Sequence, residues 1–153
     1  MIITFIGHRS LYHSEGLFNL LKATIINHIK NGEPISFYCG GYGEFDSLCA
    51  RVGYEIKKTH PSCEVLLITP YLTRTYRQDI TGVPYDSIIY PPLENVPPKF
   101  AISKRNEWMV NQADLIIAYV IHSYGGAYKS LEFAKRKHKK IINLANSESD
   151  KAD

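Results

Sequence analysis

Four short apolar runs recur along this chain, at Ile2 to Ile6, Ile35 to Cys39, Glu64 to Thr69 and Leu115 to Ile121, with segments of helical period between them. Runs so nearly free of polar alternation belong to strands covered on both faces, as in a parallel sheet flanked by helices. The first interval places Leu17, Leu20, Leu21, Thr24, Ile25 and Ile29 on one helical face, with Ser14 as its cap and Asn31-Gly32 as its stop. The second interval does the same with Phe45, Leu48, Cys49, Val52 and Ile56, ending near His60-Pro61. Tyr85 to Tyr90 reads as a further strand, Phe100 to Gln112 and about Ala127 to His138 as helices, and Ile141 to Leu144 as the closing strand. Strands alternating with helices predict one α/β domain over residues 1–145: a Rossmann-like, doubly wound, mainly parallel sheet with helices on both faces. The polar tail NSESDKAD, residues 146–153, is expected to be disordered. Pro70 to Pro84 reads as a long loop carrying Arg74 and Arg77, expected to be mobile and to border the pocket or a subunit interface.

At 153 residues the chain is long enough for one domain with its own core. Its net charge of +3 is local: Lys135, Arg136, Lys137, Lys139 and Lys140 carry five of the 18 basic residues, and the other 13 face 15 acidic ones, a balance of −2. A cluster at the end of a helix complements its dipole, so nucleic acid is an unlikely partner on charge alone. The opening MIITFIG runs directly into His8 and Arg9 and reads as a strand, not a signal peptide, and no run reaches the ~18 apolar residues of a membrane span. Cys39, Cys49 and Cys63 form no CxxC pair and read as buried free thiols of a cytoplasmic protein. His28, His60, His122 and His138 show no ligand-like clustering, so neither a metal nor a cofactor is assigned.

Two glycine pairs interrupt this pattern, Gly40-Gly41 in FYCGGYGEFDSLCA and Gly125-Gly126 in IHSYGGAYKSLEFA, each between a strand and a helix. Glycine allows a sharp turn and a close backbone approach, and the following helix offers free N–H groups and its positive dipole end to an anion. In a parallel sheet the crevice lies beyond the carboxyl ends of the strands. Gly7, His8 and Arg9 reach that edge, as do Gly40, Gly41, Gly43 and Glu44 and the run Ser123, Gly125, Gly126 and Tyr128. These residues are the expected site for a phosphate or nucleotide, with Arg9 as a bidentate clamp. Neither GxGxxG after the first strand nor GxxxxGK[ST] is present, which speaks against redox use of a dinucleotide and against ATP hydrolysis.

The chain resembles the SLOG superfamily, named from the Smf/DprA and Lonely Guy proteins, and most closely its small YpsA-like bacterial and phage branch. The resemblance spans about residues 1–145. It rests on GHR after the first strand, GGYGEFDSLCA after the second, and RNEWMVNQADLIIAYV leading into GGAYKSLEFAKRK. It implies a Rossmann-like fold that binds nucleotides or nucleotide-derived signals, as a homodimer or larger homo-oligomer. The Lonely Guy enzymes cleave the N-glycosidic bond of nucleoside 5′-monophosphates with an arginine and the motif PGGxGTxxE. Against that motif Gly125 and Gly126 match the glycine pair, Glu132 the glutamate and Arg105 the arginine, which makes Arg105 and Glu132 the catalytic candidates. Tyr124 stands in place of the proline, Tyr128 of the third glycine and Lys129 of the threonine.

The same side chains have plainer readings. Glu132 can pair with Arg136 one turn on, Asp46 can stabilise the first turn of its helix or accept from a ribose hydroxyl, and Trp108 belongs to the core. The leading expectation is therefore a binder, a sensor or sequestering protein for a nucleotide-derived ligand. The alternatives are a phosphoribohydrolase and, by analogy with the Smf/DprA branch, a DNA-processing accessory.

Overall fold

The computed structural model describes residues 1–11, 15–71 and 85–149. Its strands are β1 (Ile2–Gly7), β2 (Ile35–Cys39), β3 (Cys63–Ile68), β4 (Ser87–Ile89), β5 (Leu115–Tyr119) and β6 (Ile141–Asn143). Helices α1 (Leu17–Ile26), α2 (Gly43–Thr59), α3 (Ala101–Gln112), α4 (Gly125–Arg136) and α5 (Leu144–Ser149) connect or follow them. The six strands form one sheet in the order β4-β3-β2-β1-β5-β6, every neighbouring pair parallel. The expected doubly wound α/β architecture is therefore present.

Side chains alternate across the sheet as strand geometry requires. Ile3 and Phe5 of β1, Phe37 and Cys39 of β2, and Leu115 and Ile117 of β5 share one core with Leu21 and Ile25 of α1 and Phe45, Val52 and Ile56 of α2. Ile6, Ile116 and Ala118 point to the other face and meet Val110 of α3 and Leu131 and Ala134 of α4. Beside them Tyr38, Leu66, Ile68 and Met109 form a third cluster, on which Trp108 packs with its ring coplanar to Tyr38 (interplanar angle 1°, centroids 5.9 Å apart). Two aspartates pin the entry edge of the sheet. Asp114 accepts the Ile2 N–H at 2.7 Å, and Asp86 accepts the Val65 N–H at 2.8 Å while pairing with Lys57 at 2.7 Å.

Several boundaries differ from the sequence reading. β4 is shorter than Tyr85 to Tyr90, an edge strand with Ile88 half exposed. α4 begins at Gly125, two residues before Ala127, so its glycine pair lies in the first helical turn rather than ahead of it. The sequence 146–149, read as tail, continues helix α5, whose first turn begins at the buried Leu144. Ser14 lies outside the described residues, as do residues 72–84 of the Pro70 to Pro84 loop. The residue before α1 is Gly16, in the left-handed region at φ 77°. Among the described residues no helix is long and apolar enough to cross a membrane.

Candidate functional site

The chain winds outward from β1 through β2 and β3 to β4, then returns through α3 and places β5 on the opposite side of β1. The carboxyl ends of β1 and β5 are therefore the topological switch point, where open parallel sheets leave a crevice. A cavity of about 300 Å³ lies there, at the small end of the range for ligand pockets. Gly7, His8 and Arg9 border it from the end of β1, Tyr42 and Asp46 from the start of α2, and Gly126, Ala127 and Ser130 from the start of α4. α3 supplies the remaining wall, apolar at Ile102, Met109 and Val110 and polar at Arg105 and Asn106.

Arg105 is the one charged side chain in the buried core among the described residues, 2% exposed. Its Nη1 donates to the carbonyls of Gly40 and Ile68, both at 2.8 Å, and its Nε donates to Asn106 Oδ1 at 2.9 Å. The two carbonyls close the carboxyl ends of β2 and β3, so Arg105 ties α3 across both strands. Nη2 has no protein partner among the described residues, although Arg105 borders the cavity. Burial pulls the guanidinium pKa down and the nearby Asp46 opposes this, but a guanidinium stays charged at neutral pH. A buried cation that borders a cavity, and whose Nη2 has no partner among the described residues, suits an acceptor there.

Asp46 borders the cavity from α2, close to Arg105. Its Oδ2 accepts the Tyr42 N–H at 3.0 Å, capping the first turn of α2 from within. Burial raises its carboxyl from 3.8 to about 6, while Arg105 and the Tyr42 N–H pull in the other direction. The side chain sits deep among protein atoms and keeps partial solvent access where it borders the cavity. Gly40 explains the close approach of these two groups, since a Cβ there would sit 3.0 Å from Asp46 Oδ2 and 3.3 Å from Arg105 Cζ. The Tyr42 ring lies within reach of both arginines, 5.5 Å from Arg9 Cζ and 5.7 Å from Arg105 Cζ.

The two glycine turns are not equivalent. At α2, Gly43 has φ +86° and its missing Cβ would lie 2.6 Å from Arg9 Cα, so the β1–α1 and β2–α2 loops touch backbone to backbone. The Glu44 N–H donates to the Arg9 carbonyl at 2.8 Å, and the Glu44 carboxylate accepts the Leu11 N–H. The start of α2 thus carries two carboxylates, both engaged by the protein. The start of α4 has no acidic residue in its first turn and no side-chain cap. Gly125 holds φ +91° with nothing within 4 Å of a Cβ. The helix end that faces the cavity with unneutralised N–H groups is therefore that of α4.

The predicted site residues sort accordingly. Gly7, His8, Arg9, Asp46, Arg105 and Gly126 converge on the cavity. Gly40, Gly41, Gly43 and Glu44 shape its wall from behind, and Ser123, Gly125 and Tyr128 lie beside it without bordering it. Glu132 is not brought to the cavity: its carboxylate pairs with Lys135 at 3.2 Å, one turn along, rather than with Arg136. It sits two residues past Ser130, which turns it away from the cavity face of α4. His122, read as isolated, packs on His8 with ring centroids 4.8 Å apart. Tyr42, Asn106 and Ser130 had no signal in the sequence beyond their nearness to singled-out residues. Among the described residues no group of three His, Cys, Asp or Glu side chains is placed to hold a metal ion.

No protein-family model and no curated protein matches the sequence. Solved structures do match in shape. The X-ray structure of TM1055, a structural-genomics target, superposes with a TM-score of 0.59 at 14% identity, covering 92% of this chain and 72% of that one. DNA processing protein A from Helicobacter pylori, described for its single-stranded DNA binding mode, superposes with a TM-score of 0.62 at 15% identity. That match covers 92% of this chain, which spans 63% of the length of the Helicobacter protein. At such identities the likeness concerns architecture, and the chain has the Rossmann-like α/β fold of these two proteins.

Proposed function

We propose that the cavity at the β1/β5 switch point holds the phosphate of a nucleotide or nucleotide-derived ligand, and that the protein acts as a sensor or sequestering binder. The observation that carries this reading is Arg105, a buried cation whose Nη2 has no partner among the described residues, on a cavity that the uncapped start of α4 also borders. Arg9, at the mouth, adds a second guanidinium. Two cationic groups and a helix N-terminus favour an anion, and Asp46 offers an acceptor to the hydroxyl or amino groups of the same ligand.

Binding is favoured over phosphoribohydrolysis because Glu132, which would carry the chemistry, lies outside the cavity with its carboxylate on Lys135. Calorimetric titration with inorganic phosphate and with nucleoside 5′-monophosphates tests the site. Arg9→Ala should weaken binding by ~1.5–3 kcal/mol, the usual worth of a charge-assisted hydrogen bond. Absence of binding at millimolar concentration refutes it. Chromatography of the same mixtures separates the two functions, since free base and ribose 5-phosphate would establish the hydrolase. The homo-oligomer implied by the SLOG resemblance is part of the same proposal, and light scattering tests it.

A further inference from the structure

A ladder of three aromatic rings climbs out of the cavity toward solvent. His8 borders the cavity, His122 packs on it with centroids 4.8 Å apart and ring planes tilted by 49°, and Tyr124 stacks on His122 at 4.9 Å and 22°. The lowest ring is fixed by the backbone of the next loop: His8 Nε2 accepts the N–H of Ile121 at 2.9 Å and more weakly that of His122 at 3.4 Å. Only a neutral imidazole protonated on Nδ1 can accept there. Burial and the neighbouring His122 both hold its pKa below 6.5, in keeping with that form. The top ring is 69% exposed, beside Ile121 at 62%. Tyr124 is also the residue that precedes α4, so the ladder ends at the chain position from which the helix bordering the cavity starts.

We propose that the outer face of Tyr124 is a stacking platform for the nucleobase of a free mononucleotide whose phosphate occupies the cavity. This rests on the reading of the cavity as an anion site. Its independent support is the ladder itself, which aligns a planar face before any ligand arrives and so removes part of the ordering cost of binding. A platform of this kind takes every base by its π-face and discriminates little among them. A free mononucleotide is favoured over a strand end because the cavity is small, about 300 Å³, and apolar where Met109 and Val110 line it.

The test compares inorganic phosphate, ribose 5-phosphate, AMP and a 5′-phosphorylated oligodeoxythymidylate on wild type, Tyr124→Ala and Tyr124→Phe. The Tyr124 side chain makes no capping hydrogen bond to α4, so its removal leaves the helix start intact. The expected result is an AMP dissociation constant raised at least about fivefold in Tyr124→Ala and restored in Tyr124→Phe, with phosphate and ribose 5-phosphate unchanged. Wild-type AMP binding no tighter than ribose 5-phosphate, or insensitive to Tyr124→Ala, overturns the platform while leaving the anion site standing. Binding of none of these ligands by wild type overturns both. An oligonucleotide that binds more tightly than AMP overturns the assignment to a free nucleotide.

Discussion

Asp46→Asn should remove a pH dependence that the wild-type fold carries in the acid set deepest among protein atoms of the described residues. Burial raises the Asp46 carboxyl from 3.8 to about 6 against the opposing pull of Arg105 and the Tyr42 N–H. In the unfolded chain the carboxyl ionises near its ordinary value, whereas the folded protein retains the proton up to about pH 6. The folded state therefore binds the extra proton in this window, and stability falls as pH rises through it. The favourable contribution is complete below the unfolded value of 3.8 and is lost above about 6. A difference of roughly 2.2 between the two values, at 1.36 kcal/mol each, corresponds to about 3 kcal/mol.

Urea unfolding of both proteins from pH 4 to pH 8 measures this. Titrations common to both, including that of His8, cancel in the difference between them. Cys39 and Cys49, which lie near Asp46, have thiols pushed well above their ordinary range by burial and do not titrate in the window. Asparagine also deprives Arg105 of its nearest negative charge, and that cost adds an offset. Wild type minus variant should fall by about 2.4 kcal/mol from pH 4 to pH 7, the rest of the span lying below pH 4, and then level off. A difference flat to within about 0.5 kcal/mol would show that Asp46 titrates at its ordinary value. A difference that rises with pH would mean that the attraction of Arg105 exceeds the cost of burial.

Gly43→Ala should destabilise the fold by more than about 2 kcal/mol in urea unfolding, because φ +86° and a Cβ 2.6 Å from Arg9 Cα act together. Gly125→Ala, with φ +91° but open space around the Cβ, should cost about 1 kcal/mol from backbone strain alone. Equal losses would remove the loop-to-loop contact as the cause. Below the depressed pKa of His8, protonation takes away the lone pair that accepts the Ile121 N–H. The stability this contact supplies is present at neutral pH and lost as pH falls below that value. Amide exchange at Ile121, corrected for its intrinsic pH dependence, should lose protection as the His8 ring protonates, followed by its own NMR titration, and protection that stays constant through that titration would contradict the assignment.

The sheet and its helices were legible because their apolar periods are long and consistent. All five residues assigned to the inner face of the second helix, from Phe45 to Ile56, are buried. Boundaries were less so where local chemistry is ambiguous: Gly125-Gly126 can end a turn or start a helix, and here the pair starts the helix. The candidate site was legible only as three strand ends, which topology brings to one cavity. What periodicity hides is direction. Arg105 reads as a polar helix residue, yet it points inward to two strand-end carbonyls, and nothing in the spacing of polar residues along α3 announces such partners. The pairing of His8 with His122 likewise joins loops 114 residues apart.

The reach of Arg105 also bears on how this protein assembles. Its Nη1 holds the carbonyl of Gly40, 65 residues earlier, and that of Ile68, 37 residues earlier. The β1–β2–β3 half of the chain can collapse on α1 and α2 without these bonds. The cavity cannot exist until α3 has docked and β5 has paired with β1, the step with the highest loop-closure cost and the natural last event of folding. A partly folded chain that lacks this closure has no cavity. Any ligand of the cavity therefore acts on the final step alone, slowing global unfolding while leaving the early half to form at its own rate.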